Sequence, residues 1–324
     1  MLLNSELYYS KLMLFGEYSV ILGSRALTAP YGYFKGELSF IGNDKYTDYD
    51  FAVKSNHLLN EYERELTSVD KIEGISSIID LQKLRKEIKN GLFFESTIPQ
   101  GYGLGSSGAL TASIYGRYAI NRIKQNRFLS SDVLGQLRII LAKLESYFHG
   151  TSSGIDPLSC YVKFPLLIQN KTDTTIVQLP KNLDYGTAGI FLIDTGKPRK
   201  TENLVKKFML WCRQESFYSF ITNEYIPLNN ACIDSIVGGD LEIFKKSLRL
   251  LSQFQYQYFG ELIPIEFNSL WLEGLEKHEF FLKLCGAGGG GFLLGYAKDI
   301  DKVLKRLRKT NFHAITVFRR SELK

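Results

Sequence analysis

The sequence contains little cysteine and little histidine, with four residues of each among 324. The four cysteines lie far apart, form no C-x-x-C pair and have no histidine cluster nearby: Cys160, Cys212, Cys232 and Cys285. This pattern argues against a disulfide framework and against a structural zinc site. A reducing cytoplasm is the compartment that fits it best.

Long apolar runs are also missing. Glu6, Lys11 and Glu17 interrupt the first apolar stretch, which excludes both a signal-peptide core and a span of about twenty apolar residues there. The net charge of +6 would suit an anionic ligand, but the densest basic cluster, residues 302–309, fits a solvated helix face equally well. No basic stripe alternates with aromatic residues, so we expect neither a membrane nor a nucleic acid as partner.

The length predicts two domains, because 324 residues exceed the size at which a single core usually keeps growing. The polar stretch 171–186 is the best candidate for the boundary, and we place the domains at residues 1–180 and 181–324. Alternating apolar residues indicate strands early in the chain, over 8–22 and 27–33, whereas residues 44–60 show no clear period.

A helix is predicted after the sequence SSDV, with Ser131 as its N-cap. Its apolar positions recur at helical spacing: Leu134, Leu137, Leu141, Leu144 and Phe148. Helical geometry places Glu145 at the edge of this stripe, where it is either a carboxylate directed at a site or a flank residue facing solvent. The residues alone leave these two interpretations open.

The segment PQGYGLGSSGA, residues 99–109, combines glycines with the start of a predicted helix, and we call it the first glycine loop. Such a loop presents backbone N–H groups and the positive end of a helix to one point, as a di- or triphosphate requires. Ser106 and Ser107 add hydroxyls for a phosphate oxygen or for its Mg²⁺. No lysine follows the glycines, so a Walker P-loop is excluded.

Two other interpretations of the glycines remain open. The pattern G-x-G-x-x-G of dinucleotide-binding folds occurs at 103–108 and again at 286–291, which we call the second glycine loop. The acidic residue expected about twenty positions after the first pattern is missing. A tight turn that only packs a helix against a sheet is the simpler alternative.

Four segments together resemble a known family. Residues 10–23 (SKLMLFGEYSVILG), 99–109 and 283–295 (KLCGAGGGGFLLG) are similar to the three ordered motifs of the GHMP kinases, and residues 144–157 (LESYFHGTSSGIDP) are most similar to those of bacterial mevalonate kinases. The resemblance spans nearly the whole chain. It implies an α+β fold of two domains: an N-terminal domain like ribosomal protein S5 domain 2 and a ferredoxin-like C-terminal domain, with ATP and acceptor in the cleft between them.

The resemblance also implies the chemistry: Mg²⁺- and ATP-dependent phosphorylation of the 5-hydroxyl of mevalonate, with ADP released. By this resemblance the first glycine loop binds the ATP phosphates, and the second supports it from the other domain. The ATP-binding residues would be Pro99, Gly101, Gly103, Leu104, Gly105, Ser106, Ser107, Gly108 and Ala109, and the supporting loop would be Gly286, Ala287, Gly288, Gly289, Gly290 and Gly291.

Asp156 matches the catalytic aspartate of the family, although aspartate before proline is also ordinary turn chemistry. Lys11 stands in an apolar strand, where a lysine needs a partner, a ligand or a route to water, and the resemblance places it beside the aspartate. Glu145 matches the magnesium ligand, which favours the functional interpretation of this residue. Ser107, with Ser106 as the alternative, would complete the protein ligands of the metal.

The acceptor site is expected to include Glu17, Tyr18, His149 and Thr195, although His149 could only cap its helix and Thr195 could only end a strand. Tyr18 departs from the pattern: many mevalonate kinases have histidine there, whereas phosphomevalonate kinases often have tyrosine. The alternatives are therefore a phosphomevalonate kinase, a diphosphomevalonate decarboxylase or a catalytically silent nucleotide or metabolite sensor. The sequence leaves the oligomeric state open, with a homodimer among the options.

Overall fold

The computed structural model describes residues 6–42, 48–170, 172–180, 187–199 and 201–319. Its strands form two antiparallel sheets. The strands are β1 (Tyr8–Phe15), β2 (Ala26–Phe40), β3 (Leu92–Ser96), β4 (Leu166–Ile168), β5 (Thr174–Ile176), β6 (Gly189–Asp194), β7 (Phe280–Leu284), β8 (Phe292–Ala297) and β9 (Ala314–Arg319). In the first sheet the order is β1-β2-β4-β5, and β3 pairs with β2; in the second the order is β7-β8-β6-β9.

The helices pack against these sheets in two groups. The first group is α1 (Tyr49–Glu73), α2 (Leu81–Lys89), α3 (Ser106–Tyr118), α4 (Ser131–His149) and α5 (Ile155–Val162). The second group is α6 (Thr201–Trp211), α7 (Glu215–Phe220), α8 (Ile226–Gly238), α9 (Leu241–Tyr258), α10 (Asn268–Lys277) and α11 (Ile300–Lys309), with a π-helical turn between α7 and α8. This mixture of helices and antiparallel sheets confirms the predicted α+β class.

The helix α4 confirms the predicted apolar stripe, since Leu134, Leu137, Leu141 and Leu144 are fully buried. The predicted cap is wrong by one residue. The Ser130 side chain accepts the N–H of Val133 at 3.4 Å, while the Ser131 hydroxyl donates to Asp173 at 2.7 Å. Ser130 has the extended backbone of a cap, and Ser131 already belongs to the helix.

Two early segments differ from the prediction. The strand expected over 8–22 ends at Phe15, and Ser19–Leu22 form a short 3₁₀ turn that begins after Tyr18, whose φ is +63°. Residues 49–73, where no clear period was found up to residue 60, form the long helix α1. The 302–309 cluster lies on α11, whose Val303, Leu304 and Leu307 are buried, which confirms the solvated-face interpretation.

One contact between the two halves of the chain joins Arg25, the residue before β2, to helix α8. Arg25 pairs with Asp234 at 2.6 Å, and the Asn229 amide donates to the backbone oxygen of Arg25 at 3.0 Å. The first sheet lies within residues 8–176 and the second within 189–319. The boundary proposed between residues 180 and 181 stays a prediction, because residue 181 lies outside the described residues.

Candidate active site

An ion pair joins the two residues expected to be catalytic. Strand β1 carries Lys11, the first turn of α5 carries Asp156, and the Lys11 Nζ lies 2.9 Å from Asp156 Oδ1. Burial alone would lower the pKa of Lys11, but the adjacent Asp156 carboxylate raises it above its usual value, so the lysine is a cation. The Asp156 side chain is 33% exposed, which leaves a carboxylate oxygen available to a ligand.

The first glycine loop lies directly against this pair. A Cβ atom on Gly105 would be 3.1 Å from the Lys11 side chain and 3.6 Å from Asp156 Oδ2. A Cβ on Gly108 would be 2.8 Å from the backbone carbon of Asp156, so only glycine allows α3 and α5 to approach this closely. The Lys11 N–H donates to the Leu104 oxygen at 2.9 Å, which fixes the loop to β1.

The loop is shaped for an anion. Gly101, Gly103 and Gly105 all have φ near +75°, a conformation that other residues rarely adopt. Helix α3 begins at Ser106, immediately after Gly105. Its N-terminus therefore points backbone N–H groups and a partial positive charge toward the space beside Lys11 and Asp156.

Glu145 is buried at the same place. The Ser107 hydroxyl donates to its Oε1 at 3.0 Å, and the Ser152 hydroxyl donates to its Oε2 at 2.5 Å. Burial, together with the negative charge of Asp156, raises the pKa of Glu145 to about 7. Glu145 is therefore not a solvent-facing flank residue, and the structure brings it together with Ser107 and Asp156.

This set of donors fits a magnesium ion. The described residues contain no group of three or more His, Cys, Asp or Glu side chains at one point. Mg²⁺ does not need one, since it is commonly held by one or two carboxylates, substrate phosphates and water. Glu145 and Ser107 offer hard oxygen donors, and a cation there would relieve the repulsion between Glu145 and Asp156.

The second glycine loop packs against the first. A Cβ on Gly291 would be 2.8 Å from the Tyr102 oxygen. Arg199 lies between the loops, since a Cβ on Gly103 or on Gly286 would be within 2.2 Å of its Nη2. Its Nη1 donates to the Cys285 oxygen at 2.7 Å.

Arg199 is only 9% exposed, and in the described part of the chain its Nε has no hydrogen-bond partner. Burial lowers the pKa of the Arg199 guanidinium. A buried cation with an unused donor between two glycine loops is suited to an anionic group.

Three of the four expected acceptor residues lie at the second glycine loop or next to it. Tyr18 is buried and donates its hydroxyl to the Ala287 oxygen at 2.5 Å, and Thr195 donates to the Gly291 oxygen at 2.8 Å. Glu17 is buried in an ion pair with Lys283, whose Nζ lies 2.5 Å from Glu17 Oε1. The side chain of His149 lies outside the described residues. Their contact with an acceptor stays a prediction.

The sequence is similar to those of several known proteins. Residues 74–163 match the model of the GHMP kinases N terminal domain, a range that includes the first glycine loop, Glu145 and Asp156. The chain is 29% identical to the mevalonate kinase of Pyrococcus horikoshii, with 89% of this chain and 87% of that protein covered. It is 24% identical to the bifunctional fucokinase/GDP-fucose pyrophosphorylase of Arabidopsis thaliana, of which it spans only 26%.

Solved structures share the fold along nearly the whole chain. The L. major mevalonate kinase in complex with R-mevalonate has a TM-score of 0.60 at 15% identity and covers 98% of this chain and 96% of its own. The Streptococcus pneumoniae phosphomevalonate kinase in complex with phosphomevalonate and AMPPNP has a TM-score of 0.62 at 13% identity, with 98% and 100% covered. The chain is therefore similar to the GHMP kinases, by sequence over residues 74–163 and by fold along nearly its whole length.

Sequence reasoning missed two residues that contact the expected site residues, Lys283 beside Glu17 and Ser152 beside Glu145. Lys283 stands in the apolar strand FFLKL, so the argument that singled out Lys11 would also have found it. Ser152 lies in the serine and glycine turn before Asp156, where no pattern separates it from an ordinary turn residue.

None of the described helices is long and apolar enough to cross a membrane.

Proposed function

We propose that this protein is a GHMP kinase that transfers the γ-phosphoryl group of ATP to the 5-hydroxyl of mevalonate, giving 5-phosphomevalonate and ADP. The ion pair of Lys11 with a partly exposed Asp156, held against the first glycine loop, is the observation that carries the proposal. Relatives named mevalonate kinase that align over about nine-tenths of the chain support this choice of acceptor.

In the proposed reaction Asp156 accepts a hydrogen bond from the acceptor hydroxyl and takes its proton as the new bond forms. Lys11, 2.9 Å from Asp156, stabilises the negative charge that develops on the reacting oxygens. The glycines and the N-terminus of α3 bind the phosphates of ATP. Arg199 supplies a buried cation for the carboxylate of mevalonate or for the phosphates.

Glu145 and Ser107 would hold Mg²⁺, and Ser106 is the alternative hydroxyl. When bound, the ion neutralises charge on the phosphate oxygens. The Ser107 hydroxyl favours the ionised form of Glu145 that a cation requires.

Phosphomevalonate is the second candidate acceptor, favoured by Tyr18 and by the likeness to the Streptococcus pneumoniae phosphomevalonate kinase. An extra phosphate would need additional cations at the acceptor. Residues 15–24 contain no basic residue, and residues 148–159 contain none besides His149. Of the nearby cations, Lys197 already pairs with Glu266 at 2.7 Å. These charges favour mevalonate.

The test is ADP release, measured with a coupled assay, for mevalonate, 5-phosphomevalonate and 5-diphosphomevalonate, with the Asp156→Asn variant as the inactive control. We expect turnover with mevalonate and little with the two phosphorylated acceptors. Turnover with 5-phosphomevalonate alone would contradict the proposal, and carbon dioxide released from 5-diphosphomevalonate would indicate a decarboxylase. ATP binding without turnover of any acceptor would indicate a nucleotide sensor.

A further inference from the structure

A cavity of about 1100 Å³ lies between the first sheet and strand β9, and we call it the intersheet cavity. Leu12 and Leu14 of β1 line it. Successive side chains of a strand point to opposite faces, so Lys11 and the candidate active site lie on the other side of β1. Its volume lies just above the range of about 300 to 1000 Å³ that is usual for small-molecule sites in proteins.

The lining of the cavity is mostly apolar. It includes Tyr33 and Phe128, whose side chains are 61% and 76% exposed. Such apolar surface is costly to leave in water, and exposed apolar patches often mark binding sites. Further apolar lining residues come from both halves of the chain, among them Phe164, Val177, Ile236, Leu304 and Phe318.

The cavity wall contains basic side chains. Arg127, Arg308 and His313 line it, and no acidic residue is present among the described lining residues. All three side chains are exposed, so these basic groups lie at the mouth and not in the interior. The Arg127 guanidinium lies 4.7 Å from the centre of the Phe128 ring, which holds this cation beside apolar surface.

An apolar interior with a basic mouth is complementary to a ligand that has an apolar part and an anionic group. We propose that the intersheet cavity binds a single amphiphilic molecule, with an apolar chain inside and a phosphate or carboxylate head at Arg127, Arg308 and His313. Mevalonate and ATP do not fit this description, because their many polar groups would find few partners on this wall. The inference does not depend on the proposed reaction.

The experiment is calorimetric titration of the full chain with octyl phosphate, decyl phosphate, decanol and decyltrimethylammonium, each below its critical micelle concentration. Each buried methylene should tighten binding about fourfold, so decyl phosphate should bind roughly sixteenfold more tightly than octyl phosphate. Decanol and the cationic analogue should bind more weakly than decyl phosphate. Equal affinity for the anionic and cationic decyl compounds would overturn the proposal.

Variants test the location. Arg308→Glu should weaken decyl phosphate binding about five- to tenfold, whereas Lys305→Glu, an equal charge change at an exposed position of the same helix outside the lining, should not. Ala314→Trp should narrow the cavity and weaken binding of decyl phosphate. If both charge variants bind alike, the head group is not at this mouth.

Two further measurements test whether decyl phosphate binds at another place, the candidate active site or a membrane-binding surface. Saturating ATP should leave the affinity for decyl phosphate unchanged, because the glycine loops lie on the other side of β1. Displacement by ATP would instead place the phosphate head in the candidate active site and overturn the proposal. Co-sedimentation with anionic vesicles, without binding of the monomeric amphiphile, would indicate a membrane surface and overturn it as well.

Discussion

Two buried lysine–carboxylate pairs differ in access to solvent. In both, an apolar strand carries the lysine: Lys11 pairs with Asp156, and Lys283 pairs with Glu17. The Asp156 side chain is 33% exposed, whereas that of Glu17 is 1% exposed. The first pair can therefore meet a ligand and exchange a proton. The second is sealed, and it joins β7 to the segment that follows β1.

The largest expected effect is on the open pair. Asp156→Asn should lower turnover by about 10² to 10⁴ while ATP and mevalonate still bind, because the variant keeps the shape and removes the base. Lys11→Met should lower turnover comparably. The double variant should lose less than the product of the two factors if the pair acts as one unit. Steady-state kinetics and a binding titration measure this.

The proposed role of Asp156 would be wrong if Asp156→Asn turned over at a nearly wild-type rate. A general loss of structure is checked by the thermal unfolding midpoint. Asp80→Asn is a control with the same chemical change: this carboxylate accepts the Lys83 N–H at 2.9 Å, at the N-terminus of α2.

The next largest effect is on the sealed pair. Glu17→Gln or Lys283→Met should lower the free energy of unfolding by about 3 to 5 kcal/mol, because each leaves an uncompensated polar or charged partner buried. The combined Glu17→Leu and Lys283→Met variant should be less destabilised than either single variant. Urea denaturation measures all three. A Glu17→Gln variant with normal stability and a raised KM for the acceptor would instead support a role for Glu17 in acceptor binding.

A smaller effect is expected at the contact between Tyr18 and the second glycine loop. Tyr18→Phe removes the donor to the Ala287 oxygen and should cost about 1 to 2 kcal/mol of stability. It should also raise the KM for ATP, because the second glycine loop supports the first. Tyr161→Phe is the matched control, since that hydroxyl donates to the Ile123 oxygen at 2.6 Å, away from both loops. An equal KM change in both variants would contradict a positioning role for Tyr18.

A pH dependence of stability is expected beside the open pair. The native pKa of Glu145 is about 7, above its usual value of 4.5, so the metal-free native state binds more protons than the unfolded state between these pH values. Stability should therefore decrease as pH rises from about 4.5 to 7. Glu145→Gln should flatten this part of the profile, measured as the unfolding midpoint against pH. An unchanged slope would show that another group titrates.

Local patterns were sufficient to predict part of this molecule. The glycine loop before α3 and the buried stripe of α4 depend on neighbouring residues, and so both were predictable. Helix α1 was not, because apolar residues at its start, including Tyr49 and Phe51, face solvent and obscure the helical period. The Glu17–Lys283 pair joins residues 266 positions apart, a separation at which local patterns carry no information.

That separation also has a consequence for synthesis. At the usual rate of about 5 to 20 residues per second, a ribosome would make Lys283 roughly 13 to 53 s after Glu17, given their 266-residue separation. During this time the Glu17 carboxylate of the nascent chain lacks Lys283 as its partner, and burying it unpaired would be costly. The first half can collapse early, but the junction that orders the second glycine loop closes only when β7 arrives. Completion of the site is therefore a late event in folding.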